Sequence, residues 1–135
     1  MRNALFKLLI ADDDTESAEA LAIYMRLSGF DVKAVFEGLG AIFALTTWQP
    51  HAAFLDIDMP GATGLEVARA VRWHEADQRR TLLIAVTGRS PTDSTAAACV
   101  EAGFDCHVSK PASPVKLLQL LRDYKVFLAD DDALV

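Results

Sequence analysis

Five short apolar runs alternate with longer segments of helical period along this chain, and that alternation constrains the fold more than any other feature. Leu5 to Ala11, Asp31 to Val35, Ala52 to Leu55, Leu82 to Val86 and Asp105 to Val108 are mostly apolar and bounded by turn or charged residues, as buried parallel strands are. Between them, Thr15 to Leu27 spaces Ala18, Leu21, Ala22 and Met25 by three and four residues, and Ser28-Gly29 supplies a C-cap signal. Gly38 to Thr47, Gly64 to Trp73 and the Ala-rich run Thr95 to Ala102 carry similar spacing, the last with Asp93-Ser94 to cap it and Gly103 to close it. Pro114 suits the first turn of a final helix leading into Leu117, Leu118 and Leu121.

Strand and helix repeated five times describe a (βα)5 unit. Crossovers between parallel strands are right-handed, so helices cover both faces of one sheet only if the winding reverses once. A flavodoxin-like parallel sheet in the order 2-1-3-4-5 meets that condition, with its switch point between the first and third strands. A chain of 135 residues with 52% apolar and 24% charged side chains is enough for one such domain. We expect the domain over residues 1–124 and an acidic tail over 125–135, with VFLADDDALV beginning as a frayed helix end.

Four of the runs end on residues that handle phosphate or a cation: LLIADDD at Asp12 and Asp13, AAFLD at Asp56, LLIAVT at Thr87 and CHVSK at Lys110. Ligands of open α/β sheets bind outside the carboxyl ends of the strands, so these residues converge on one crevice. Clustered carboxylates repel and must either take up protons or hold a cation. Mg2+ suits them, because it meets proteins through one or two carboxylates plus phosphate oxygens. Asp13 and Asp56 can ligate directly and Asp12 through water, while Thr87 donates a hydrogen bond and Lys110 a positive charge to phosphoryl oxygens. Alone, each residue has a plainer reading: a capping aspartate, a solvated turn, a β-branched strand end, an exposed loop lysine. Their order on consecutive units is what makes the set specific.

The net charge of −6 opposes sequence-independent binding to nucleic acid. Cys99 and Cys106 form no CxxC pair, and we read both as reduced, buried or half-buried thiols. No apolar stretch near the amino terminus approaches the ~20 residues of a membrane span, and no cleavage-site pattern follows the basic start, which makes the cytoplasm the expected location.

Through LLIADDD, FLDIDMPGATGLEVARAVR, IAVTG and VSKP, residues 5–124 resemble the receiver domain of two-component response regulators. The resemblance implies a signalling phosphoprotein rather than a turnover enzyme. Asp56 would accept a phosphoryl group from a histidine kinase or histidine phosphotransfer protein, and the domain would signal through protein-protein contact. It further implies that Asp12 and Asp13 are the acidic pair, that the backbone carbonyl of Asp58 is a further Mg2+ ligand, that Thr87 and Lys110 are the switch hydroxyl and lysine, and that Pro111 follows a cis peptide. Asp58, Gly88 and Arg89 occupy positions that tune the phosphoryl lifetime, with an Asp58–Arg89 pair across the crevice mouth. His107 stands where the family commonly has Tyr or Phe, so we expect an altered or pH-dependent readout there. Thr63 replaces the commoner acidic residue before Gly64 and is expected to change only loop hydrogen bonding. Trp48 is expected to close the second helix, and Trp73 with His74 either to pack on neighbouring elements, the favoured reading, or to mark a partner surface.

Asp56-Ile57-Asp58 is also similar to the nucleophile motif of haloacid-dehalogenase-like phosphatases. That family places its acidic pair after the lysine, however, and Met59 stands where Thr or Val is usual. A noncatalytic interaction module would lack a key site residue, and none is missing. A stand-alone regulator and a fragment of a hybrid histidine kinase or longer regulator both fit, and the motifs name no cognate kinase or output partner.

Overall fold

The computed structural model describes residues 5–76, 80–88 and 93–134, with backbone alone at 93 and 125–134. Its strands are β1 (Lys7–Ala11), β2 (Asp31–Val35), β3 (Ala52–Leu55), β4 (Leu82–Thr87) and β5 (Cys106–Ser109). The helices are α1 (Thr15–Leu27), α2 (Gly38–Thr47), α3 (Gly64–Glu75), α4 (Asp93–Ala102) and α5 (Pro114–Leu134). All strand pairings are parallel, in the order β2-β1-β3-β4-β5 that the single reversal of winding requires.

Alternation along the strands divides the core in two. Leu9, Ala11, Ala53, Leu55, Leu83 and Ala85 join one apolar cluster with residues of α2, α3 and α4. Leu8, Ile10, Phe54, Ile84 and Val108 join the other, with residues of α1 and α5. Both faces of the central strands are therefore buried, which is why these strands read as unbroken apolar runs. Leu9 and Leu55 are fully buried, and truncating either to alanine removes about 2–5 kcal/mol of stability.

The register sets the top edge of the sheet. Ala11 pairs with Leu55, so Asp12 and Asp56 leave the sheet side by side, and the Asp56 N–H donates to Ala11 O at 2.9 Å. Thr87 pairs with Ser109, and the Lys110 N–H donates to Thr87 O at 2.8 Å.

Several expectations need correction at their edges. Strand β1 starts at Lys7 and β4 continues through Thr87. Strand β5 starts at Cys106 because Asp105 turns its carboxylate back to the Leu83 N–H at 2.8 Å, beside Arg72 and Arg80. Helix α3 runs to Glu75, and Trp73 is 87% exposed with His74 also at the surface, so neither packs inward as expected. Cys99 is buried, but Cys106 is exposed rather than half-buried, since β5 is an edge strand. The Cys106 thiol is nonetheless pushed up from its ordinary pKa, by desolvation first and then by the charge of Asp105. Helix α5 continues to Leu134, beyond the expected frayed end. Trp48 is the C-cap of α2, as read from the sequence.

Candidate functional site

Asp12, Asp13 and Asp56 come together at the carboxyl edge of β1 and β3, each offering an oxygen within 4.8 Å of the others. Lys110 arrives from the end of β5, its Nζ donating to Asp12 Oδ2 at 3.0 Å and to Asp56 Oδ2 at 3.2 Å. The other Asp56 oxygen accepts the Asp58 N–H at 3.2 Å, and the other Asp12 oxygen accepts the Asp14 N–H at 2.9 Å. Asp14 itself caps α1, taking the Ser17 hydroxyl at 2.9 Å. That bond, followed by the Ser17 backbone N–H, holds its carboxyl below the usual range. The plainer reading of a capping aspartate therefore applies to the third acid of ADDD.

Asp56 is buried at 6% exposure. Desolvation pushes its carboxyl above the ordinary value and the Asp12 charge adds to the rise, while Lys110 opposes both. Desolvation acts on Lys110 in the opposite sense, but its hydrogen bond to Asp12 and the charges of Asp56 and Asp12 hold the ammonium above its ordinary pKa. Among the described residues one cation, Lys110, thus faces the three carboxylates. Hard oxygen donors gathered this closely beside a crevice suit Mg2+.

Thr87 is buried at 1% exposure at the end of β4, and the Lys110-Pro111 peptide is cis. Asp58 is exposed. Gly88 is exposed, and among the described residues a Cβ there would meet nothing within 4 Å. Arg89, and with it the expected Asp58–Arg89 pair, lies outside the described residues. His107 is half-buried on β5, in register with Ala85, whereas its neighbour Val108 belongs to the cluster on the other face. Alternation therefore puts His107 on the face of the sheet shared by Ala85 and Thr87.

Sequence reasoning missed three features. Thr63 and Glu66 form a reciprocal capping box at the start of α3, with Thr63 N–H to Glu66 Oε1 at 2.8 Å and Glu66 N–H to Thr63 Oγ1 at 3.2 Å, a pattern legible as T-x-x-E. An open groove of about 740 Å3 runs from Asp12 and Lys110 between α1 and the start of α5, with Leu21, Tyr24, Pro111 and Leu117 in its walls. No local pattern signals it, because two distant helices form it. The third is the seating of the loop after Asp56 against the start of α2. Gly38 donates its N–H to Pro60 O at 3.0 Å, and the Glu37 carboxylate caps Leu39 and Gly40 at 2.8 Å each.

The family model described as the response regulator receiver domain matches residues 8–122. The chain belongs to this family. As a receiver domain it is 31% identical over 116 residues to the DNA-binding response regulator MtrA of Mycolicibacterium paratuberculosis, a match covering 86% of this chain and 49% of that protein. It is 36% identical over 105 residues to the transcriptional regulatory protein PrrA of Mycobacterium leprae, covering 78% of this chain and 43% of that one. This receiver therefore spans about half the length of these curated relatives. In fold it is similar to a CheY-like receiver domain protein from Methanospirillum hungatei, with a TM-score of 0.85, 21% identity, and coverage of 95% and 99% of the two chains.

Proposed function

We propose that Asp56 accepts a phosphoryl group from the phosphohistidine of a histidine kinase or histidine phosphotransfer protein in a Mg2+-dependent step. The observation that carries this reading is the meeting of Asp12, Asp13, Asp56 and Lys110 at one end of the sheet. An Asp56 carboxylate oxygen forms the bond to phosphorus as the phosphorus–nitrogen bond of the donor breaks, and that electron pair stays on the imidazole nitrogen. Asp12, Asp13, Asp56 and the Asp58 carbonyl would hold Mg2+, which when bound would supply positive charge against the phosphoryl oxygens. Lys110 turns from Asp56 toward one such oxygen, and the Thr87 hydroxyl donates to another. The groove between α1 and α5 opens beside Lys110 and gives the donor's histidine-bearing helix an apolar seat.

The acyl phosphate is slowly lost by self-hydrolysis, which the exposed Asp58 and Gly88, a residue with no side chain, tune from beside the site. Output runs through protein-protein contact at the β5 edge of the sheet, beside His107. MtrA and PrrA are named for DNA binding and transcriptional regulation, which narrows the expectation of no nucleic-acid partner to the receiver fold itself. Among the described residues no helix is long and apolar enough to cross a membrane, which supports action in the cytoplasm.

Incubation with a small-molecule phosphodonor and Mg2+ tests the reading. One equivalent of acid-stable, hydroxylamine-sensitive label on the wild type, and none on Asp56→Asn, is the expected result. Undiminished labelling of Asp56→Asn, or multiple turnovers of a phosphate ester with no label retained, would overturn it in favour of another acceptor or a phosphatase.

A further inference from the structure

The loop from Asp58 to Thr63 follows the acceptor, and it is gripped from two sides. At its far end Gly64 donates its N–H to Ile57 O at 2.7 Å, and a Cβ on Gly64 would run into the Asp56 carbonyl and lie 2.8 Å from Ile57 Cα. In its middle the start of α2 closes on it. The Gly38 N–H bonds Pro60 O at 3.0 Å, and a Cβ on Gly38 would overlap the Ala62 carbonyl oxygen and lie 2.7 Å from its carbonyl carbon. The overlapping atoms are backbone atoms and, at Gly38, the Ala62 Cβ as well, none of which a rotamer change can move aside.

We propose that Gly38 is a positioning residue for the metal site: its bare Cα sets how closely α2 approaches the 60–62 backbone, and so where that loop holds the Asp58 carbonyl. The inference rests on the receiver reading, in which that carbonyl is a Mg2+ ligand. Asp58 is two residues from the Pro60 carbonyl that Gly38 holds, and its own N–H is tied to Asp56 Oδ1 at 3.2 Å. A Cβ at position 38 must push the 60–62 backbone away from α2, and with Gly64 fixed against Asp56 and Ile57 the displacement is taken up toward Asp58. Gly38 touches neither metal nor phosphate; it acts through the loop.

Gly40 supplies an internal comparison. It lies in the same first turn of α2, yet the overlap of a Cβ there is with the end of the Glu37 side chain, Oε2 at 2.7 Å, which can swing aside, while Val35 Cβ at 3.8 Å is in ordinary contact. Helix preference favours alanine over glycine at both positions, so propensity alone predicts that neither substitution does harm.

Mg2+ alone, titrated calorimetrically into the wild type, Gly38→Ala and Gly40→Ala, tests the proposal, with melting curves to confirm folding. Gly38→Ala is expected to weaken Mg2+ binding about tenfold, the lower end of what displaced supporting groups cost a metal site, with Gly40→Ala unchanged. Equal affinity in wild type and Gly38→Ala overturns the clamp and leaves the receiver reading standing, whereas no Mg2+ binding by the wild type overturns that reading itself. If Gly38→Ala does not fold, the wild type decides by nuclear magnetic resonance. The Gly38 amide must then shift with Mg2+ along the same binding curve as the Asp58 amide, and a Gly38 resonance that stays still while Asp58 moves refutes the coupling.

Discussion

The ammonium of Lys110 lies 3.2 Å from the carboxylate of Asp56, joining residues 54 positions apart and crossing from the edge strand to the middle of the sheet. With its second bond, 3.0 Å to Asp12, it is the positive charge seated among the acids. Lys110→Met keeps the stem and removes the charge. Phosphorylation of Asp56 should slow by roughly 10²-fold or more, the scale set by losing one fixed group that stabilises developing charge. Mg2+ should bind at least as tightly, since a competing cation has left the carboxylates. Single-turnover labelling and calorimetry separate the two effects, and an unchanged labelling rate would remove Lys110 from the chemistry.

Burial, reinforced by Asp12, raises the Asp56 carboxyl above its ordinary pKa. A carboxyl whose folded value exceeds its unfolded value favours the fold fully below the unfolded pKa of about 3.9, and that contribution is lost as pH rises through the folded value. Wherever Asp56 is ionised, its burial therefore works against the metal-free fold. Asp56→Asn should melt at a higher temperature than wild type at pH 7 without Mg2+, and the gap should close on acidification toward the carboxylate range or on saturation with Mg2+. A wild type that melts above Asp56→Asn in metal-free buffer at neutral pH would show that the Lys110 pair outweighs burial.

Arg72 anchors the opposite edge of the sheet. Its guanidinium reaches Gly103 O at 2.9 Å, Thr81 O and Glu75 Oε1 at 2.8 Å each, and Asp105 Oδ2 at 2.9 Å, with only 18% of the side chain exposed. Arg72→Met leaves Asp105, Glu75 and two carbonyls without this partner, which should cost about 3 kcal/mol, the lower end for breaking a buried pair. Urea unfolding measures the loss. Mg2+ affinity should not change, because the network lies at the end of the sheet away from Asp56, and a large fall in affinity would mean that the two ends are coupled.

The strands and the site were legible in the sequence for one reason. Parallel strands buried on both faces leave nothing polar until they end, so LLIADDD, AAFLD and LLIAVT mark the sheet edge and the crevice at once, while CHVSK, on the edge strand, is marked by its closing lysine. Arg72 was not legible, because nothing in VARAVRWHE distinguishes an arginine facing Thr81, Gly103 and Asp105 from one facing water. Trp73 misled for the same reason: its size suggested packing, while the helix turns that face outward. The clamp at Gly38 was hidden because a glycine at the start of a helix reads as loop flexibility, and its partner at Ala62 lies 24 residues on. Asp105 was read as the start of β5, but its carboxylate competes for the Leu83 N–H and ends the turn instead. Long-range polar contacts decide such details, and local periodicity does not encode them.

We propose that His107, standing where the family commonly has Tyr or Phe, is the point at which the readout of this chain departs from the family pattern, and its placement makes that proposal testable. It is half-buried on the edge strand, in register with Ala85 and on the face that carries Thr87, so a ring there can follow a movement of the Thr87 hydroxyl toward a phosphoryl group. His107→Tyr should leave Mg2+ affinity and the labelling rate of Asp56 within about twofold of wild type, since Lys110 reaches Asp12 and Asp56 from the end of β5 and, among the described residues, no bond joins His107 to them. It should instead change how hydrogen exchange in α4 and β5 responds to beryllofluoride, and the affinity of the phosphorylated protein for its output partner. If the exchange response, the partner affinity and its pH profile all match wild type, His107 is a packing residue and the readout runs elsewhere on the sheet.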